Sequence, residues 1–161
     1  MLAHVQSSAV LGIDAYRVTV EVDVSNGMPS LSIVGLPDAA VNESRERVRA
    51  AIKNSGYFFP YDKRVIINLA PADVRKAGPS FDLPIAVGML VATGQLSGEN
   101  LEGALLVGEL SLDGGVRAVT GALPIAIGAR ERRVTRLYLP AANAREAAIV
   151  TDVDVFPIAT L

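Results

Sequence analysis

The chain has no cysteine, no tryptophan and only one histidine in 161 residues, and lysine is scarce too: Lys53, Lys63 and Lys76 stand beside twelve arginines. The missing cysteine excludes disulfides, thiol catalysis and thiolate-held zinc. It also agrees with a reducing compartment, so residence in the cytoplasm is expected. Aromatics are 5% and apolar residues 50%, so the interior has to be filled by Val, Ile, Leu and Ala. No apolar run reaches the roughly 18 to 20 residues of a membrane span, and the opening MLAHVQSSAV lacks the basic segment and apolar core of a secretory leader. A net charge of −2 gives no global attraction to nucleic acid or anionic lipid. A membrane partner is therefore not expected.

What is present points to one α+β domain over residues 1–161, with a mixed β-sheet and helices packed largely on one side. AYRVTVEVDVSNG, residues 15–27, alternates with period two and reads as a half-covered strand. With HVQSSAVLG before it and LSIVG after the Asn26-Gly27 turn, it predicts a three-stranded antiparallel opening. DAAVNESRERVRAAIKNSG changes to helical period, with Asp38 placed to cap its start and Gly56 to close it. KRVIINLA, residues 63–70, reads as a strand buried on both faces. A helix apolar on nearly every side runs from about Leu83 to Thr93. Beyond it the sequence predicts a strand over Leu105–Leu112 turned by Asp113-Gly114-Gly115, a helix from about Gly121 to Arg132, the strand RLYLP, a short helix begun by Asn143, and the strand VDVFPI.

The stretch RKAGPSFDLPIAVGML, residues 75–90, poses the functional question. Ser80 as a nucleophile needs a proton acceptor. His4 is isolated at an apparent edge strand, and Lys76, four residues away, has flanks that suggest solvent rather than the burial that would lower its pKa. A phosphate site would need a Gly-rich turn with free amides and a lysine. Pro79 lacks an N–H, and Asp82 would repel the anion. The structural reading requires least: Gly78-Pro79 sets the approach, Asp82 or the Ser80 hydroxyl accepts from the first-turn amides, and Pro84 is tolerated because its missing donor had no partner. Glu109, Ser111 and Asp113 read as a strand edge and a turn rather than a metal site. Gly114, Gly115 and Gly121 do not make a dinucleotide fingerprint.

Two arginine groups remain. Arg45, Arg49 and Lys53 share one side of the first helix, where Glu43 and Glu46 can pair with Arg47 and Arg49. Arg130, Arg132, Arg133 and Arg136 form the second group. Either is a solvated face, or a contact with another subunit or with nucleic-acid phosphates.

RKAGPSFDLPIA, NLAPAD, LLVGELSLDGGVRAVTGALPIA and GLPDAAVNESRERVRAAI together resemble the N-terminal domain of bacterial magnesium-chelatase-like AAA+ proteins of the competence (ComM/YifB) type, across essentially all 161 residues. The resemblance implies a fold similar to the proteolytic domain of Lon and to the second domain of a small-subunit ribosomal protein. It places Ser80 on the degenerate nucleophile position and Leu123 on or about the position of the lysine base, and leucine cannot accept a proton. It further implies a downstream ATPase module absent here that binds ATP and Mg2+, assembly of the full-length protein in a hexameric ring, DNA branch migration during transformation and recombination, and single-stranded or branched DNA as a possible partner. This chain itself would then have no cofactor and act as an assembly or DNA-contacting domain. The alternatives are a protein-interaction domain that regulates the ATPase, and a Ser-Lys peptidase using Ser80 and Lys76.

Overall fold

The computed structural model describes residues 1–161 and shows mixed sheets and four helices in an α+β arrangement. β1 (Leu2–Leu11) and β2 (Asp14–Ser25) form the expected antiparallel pair. β3 (Ser30–Val34) does not continue it. β4 (Arg64–Ala70) inserts between them, antiparallel to β2 and parallel to β3, in the order β1-β2-β4-β3. The three-stranded antiparallel opening is therefore corrected. Ser25 and Ser30 both pair with Arg64, so residues 26–29 step across the start of β4 instead of folding back. A two-residue Asn-Gly turn would need its second strand to begin directly after Gly27, but Met28 and Pro29 intervene. The step is held by the Ser30 amide donating to the Lys63 carbonyl (3.2 Å) and the Lys63 amine donating to Asn26 Oδ1 (2.9 Å).

α1 (Ala39–Asn54) starts where the sequence places it, with the Asp38 carboxylate accepting from the Val41 amide at 2.8 Å. Its buried stripe is Val41, Ser44, Val48, Ala51 and Ile52, and each large aliphatic there contributes roughly 1.5 to 3 kcal/mol. Between β3 and β4, α1 forms the crossover that a parallel pair requires. β4 is covered less than its sequence suggests. Val65, Ile67 and Leu69 are buried, but Ile66, Asn68 and Ala70 on the other face are only half-buried. No second layer closes over that face.

α2 (Asp82–Ala92) follows a 3₁₀ turn at Pro79–Phe81 and is buried at ten of its eleven positions. The strand predicted over Leu105–Leu112 is split into β5 (Ala104–Leu106) and β6 (Glu109–Leu110), the latter paired with β7 (Val116–Arg117). The break lies at Gly108, whose amide donates to the Ser80 carbonyl (2.9 Å) and whose carbonyl accepts from Leu83 (3.0 Å). Gly108 thus completes the start of α2, and a Cβ there would meet Val116 at 2.9 Å and Leu83 at 3.2 Å.

α3 (Ala122–Glu131), β8 (Arg136–Pro140), the four-residue α4 (Ala144–Ala147) and β9 (Asp154–Ile158) build a second apolar cluster around Leu105, Ile125, Leu137 and Leu139. β5, β8 and β9 form a parallel sheet. The buried Ser7 hydroxyl donates to the Leu106 carbonyl (2.8 Å), which joins β1 to β5. Asn143 does not cap α4. Its side chain brackets Val119, accepting from that residue's N–H and donating to its C=O, both at 2.9 Å. No helix is long and apolar enough to cross a membrane.

Gly35, at the end of β3, has φ +103°, and a Cβ on it would lie 2.2 Å from the Leu69 carbonyl oxygen. Because the obstacle is backbone, Gly35→Ala should destabilise the domain by about 2 kcal/mol or more, read as a lowered melting temperature in thermal denaturation. An unchanged melting temperature would show that β3 and β4 are less rigidly apposed than described.

Candidate functional site

Ser80 lies in the 3₁₀ turn that leads into α2, half-buried, on the wall of a cavity of about 470 Å³. Gly78 and Pro79 flank it. Across the cavity are Thr120, Gly121 and Pro124 at the start of α3, with Ser8 from β1 and Glu109 from β6. The geometry brings the serine and the N-terminus of α3 together. No amine or imidazole lines the cavity. Glu109 is its one titratable group, and the Ser80 hydroxyl makes no hydrogen bond to it or to any other protein group. Leu123 is half-buried in the second apolar cluster rather than on the cavity wall, its amide donating to Glu146 at 3.2 Å.

Lys76 departs from expectation. It is fully buried, its amine donates to the Pro71 carbonyl, and it does not line the cavity. Its amide donates to Leu36 (3.0 Å) and its carbonyl accepts from Asp38 (2.9 Å), which fixes the 71–78 loop against the segment before α1. Burial pushes its pKa below the ordinary value of 10.5, opposed in part by Asp73. The flanking Arg75 and Ala77 are indeed exposed, but the intervening side chain turns inward.

Asp82 is also corrected. Neither its carboxylate nor the Ser80 hydroxyl caps α2. Asp82 is completely buried and accepts four hydrogen bonds from elsewhere: Ser44 Oγ at 2.5 Å, Arg47 Nε at 2.6 Å, Arg47 NH2 at 3.1 Å and the Leu110 amide at 3.1 Å. Asp82 chiefly, through its hydrogen bond, strengthens the hold of Arg47 on its proton. Sequence spacing found only the local partner of Arg47, Glu43 at 3.6 Å, because the contact with Asp82 joins residues 35 apart. The available signal was a Ser and an Arg at positions 44 and 47, three apart on the face of α1 next to its apolar stripe. Pro84, the third residue of α2, sits where no intrahelical donor is needed.

The arginine groups divide. Arg45 and Lys53 are exposed, whereas Arg49 lies with its guanidinium 5.4 Å from the Phe59 ring centre and pairs with Glu46 at 3.6 Å. Arg130 and Arg133 are exposed. Arg136 is half-buried and donates to the Glu102 carbonyl at 2.5 Å. Arg132 folds back over the sheet, with long contacts of 3.4 Å to Ala15 O and Ser8 Oγ, and burial followed by the charge of Arg17 lowers its pKa. His4 is exposed, 3.3 Å from Glu21.

The chain's own residues do not fit a nucleotide phosphate or a metal. The Leu83 amide at the start of α2 is taken by Gly108, and Asp82 stands beside it. No three acidic or histidine side chains gather where they could hold a cation. Asp113 instead closes its turn, accepting from Ser111 Oγ (2.5 Å) and the Gly115 amide (2.9 Å), and these bonds hold its carboxyl below the usual range.

Removing one partner of a buried ion pair leaves the other charge uncompensated, so Asp82→Ala should cost about 3 to 5 kcal/mol. Chemical denaturation of the variant checks this, and a loss comparable to that of a surface substitution would contradict it. Lys76 gives a pH signature. Its folded pKa lies below the 10.5 of an exposed lysine, so between the two values the unfolded chain binds more protons and stability rises with pH. Lys76→Met should remove that alkaline rise in a series of denaturation curves. A rise of equal slope in the variant would assign it to another group.

The family model for the ChlI subunit of Mg-chelatase matches residues 20–143. The uncharacterised protein YifB of Salmonella typhimurium is 49% identical over 150 residues, covering 93% of this chain and 29% of its own length. The competence protein ComM of Haemophilus influenzae is 44% identical over 160 residues, covering 99% of this chain and 31% of its own. The uncharacterised protein Mb2921c of Mycobacterium bovis is 42% identical over 160 residues, covering 99% and 32%. The chain thus spans about a third of the length of these curated relatives. With a family match over most of its residues, the chain belongs to the Mg-chelatase ChlI-subunit family, with relatives named YifB and ComM.

Proposed function

We propose that this domain is a non-catalytic assembly or DNA-contacting part of a longer, ring-forming, ATP-driven protein that migrates DNA branches during natural transformation and recombination. The similarity to the competence protein ComM supports the process. The observation that carries the non-catalytic reading is the state of Ser80: an accessible hydroxyl on a cavity wall with no amine or imidazole in that cavity, while the amine of the nearest lysine in sequence, Lys76, donates a hydrogen bond to the Pro71 carbonyl instead. A serine without a base is a weak attacker, so the Ser-Lys peptidase reading is not supported. In this reading ATP and Mg2+ would be bound by the remainder of the longer protein.

The cavity keeps a serine turn on one side and a helix start on the other, which agrees with a protease-like scaffold whose chemistry has lapsed. A hexamer of the full-length protein would place this domain as a coupling or contact element on the ring. Natural transformation in a strain carrying Ser80→Ala in the full-length protein tests the reading. Transformation should be indistinguishable from wild type, because the hydroxyl has no reaction to perform. A strong loss with protein level and thermal stability unchanged would overturn it.

A further inference from the structure

The loop between α1 and β4 holds three of the chain's eight aromatic rings out in solvent. Phe58 is 62% exposed, Tyr61 56% and Tyr57 41%, whereas Phe59 between them is 4% exposed. Slack does not explain this. The Gln95 side chain brackets Phe58, accepting from its N–H and donating to its C=O, both at 2.8 Å. The Tyr57 amide donates to Ile52 (3.1 Å) and the Tyr61 amide to Phe59 (2.9 Å). Phe59 anchors the loop from beneath, with its ring 4.9 Å from that of Tyr61. A backbone fixed at both ends and in the middle thus presents apolar rings to water, and exposed apolar groups so held mark an interaction surface.

Two cations lie beside the rings. Lys63 lines one shallow depression with Phe58 and a second with Tyr61, and Arg49 lines the second as well. Arg49 Nε is buried without a hydrogen-bond partner. Lys53 on the last turn of α1 and Arg64 at the start of β4 are exposed. Asp62, 3.8 Å from Lys63, is the loop's one carboxylate.

We propose that this loop binds single-stranded DNA, with unpaired bases stacking on Phe58 and Tyr61 and phosphates meeting Lys53, Lys63 and Arg64. The inference rests on the DNA-acting reading above and assigns it a surface that the reading does not contain. Alternating rings and cations are what a sequence-tolerant single strand requires. A duplex has its bases already stacked and offers the rings nothing. A protein interface is less suited, because lysine is depleted there, and two of the chain's three lysines flank this loop.

The test uses full-length protein and fluorescent oligothymidine. Phe58→Ala with Tyr61→Ala should weaken binding by about thirtyfold or more, the scale of two lost stacking contacts, while Tyr61→Phe keeps the ring and the affinity. Lys63→Ala should lower the salt slope by about 0.7. Oligothymidine carrying 5-iododeoxyuridine, irradiated on wild-type protein, should crosslink within residues 57–64, which needs no variant to fold. The surface is wrong if the double variant binds as tightly as wild type, if crosslinks fall only elsewhere, if a duplex of equal length binds as well through this loop, or if the variant loses self-association with DNA affinity intact. If wild type binds no single strand at low salt, the DNA-acting reading falls with it.

Discussion

The buried carboxylate of Asp82 is the constraint on which the rest of the domain depends. It lies at the first turn of α2, yet its four hydrogen bonds come from α1 and β6. Three elements distant in sequence therefore converge on one charge. Desolvating a carboxylate costs several kcal/mol, and the short contacts to Arg47 and Ser44 with the Leu110 amide offset that cost only when α1, α2 and β6 occupy one arrangement. The same geometry determines where the chain two residues earlier must go. Ser80 is turned to the cavity while its carbonyl is held by Gly108.

This tie explains how a serine can stand at the mouth of a cleft with no base beside it. The acidic residue beside it points away, toward a guanidinium. The lysine nearest in sequence is locked under the 71–78 loop, and the start of α3 offers Gly121 and Pro124. Asp38 adds to the same frame, capping α1 with one oxygen and accepting from the Gly78 amide with the other at 3.2 Å. The residues around the serine are thus engaged in holding three segments together. The exposed rings of the loop after α1 and the exposed Arg45 and Lys53 of α1 lie outside that frame.

Much of this was legible from local pattern. The period-two run of β2, the stripe and cap of α1, the apolar α2 and the closing strands β8 and β9 depend on neighbours within a few residues, and the sequence displays them directly. Contacts across long separations were not legible. The insertion of β4 between β2 and β3 and the capture of Asp82 by Arg47 are choices among partners more than 30 residues apart, the break at Gly108 depends on Ser80 and Leu83, and the inward turn of Lys76 goes with a backbone held by Leu36 and Asp38. In each case the local rule was sound but outcompeted: Asn26-Gly27 is a hairpin signal that Met28-Pro29 defeats, and Asp82 is a capping residue that a cation drew away. The aromatic loop escaped because GYFFPYDKR resembles ordinary core; only the exposure of Tyr57, Phe58 and Tyr61 in the fold shows the rings directed outward.

The account rests on Ser80 having no group to take its proton. Intact-mass measurement of the protein after prolonged exposure to a fluorophosphonate, across neutral to alkaline pH, tests this most directly. The account predicts no mass addition at Ser80 beyond that of an ordinary surface serine. Stoichiometric modification of Ser80, rising with pH along a single titration and abolished by unfolding, would contradict it.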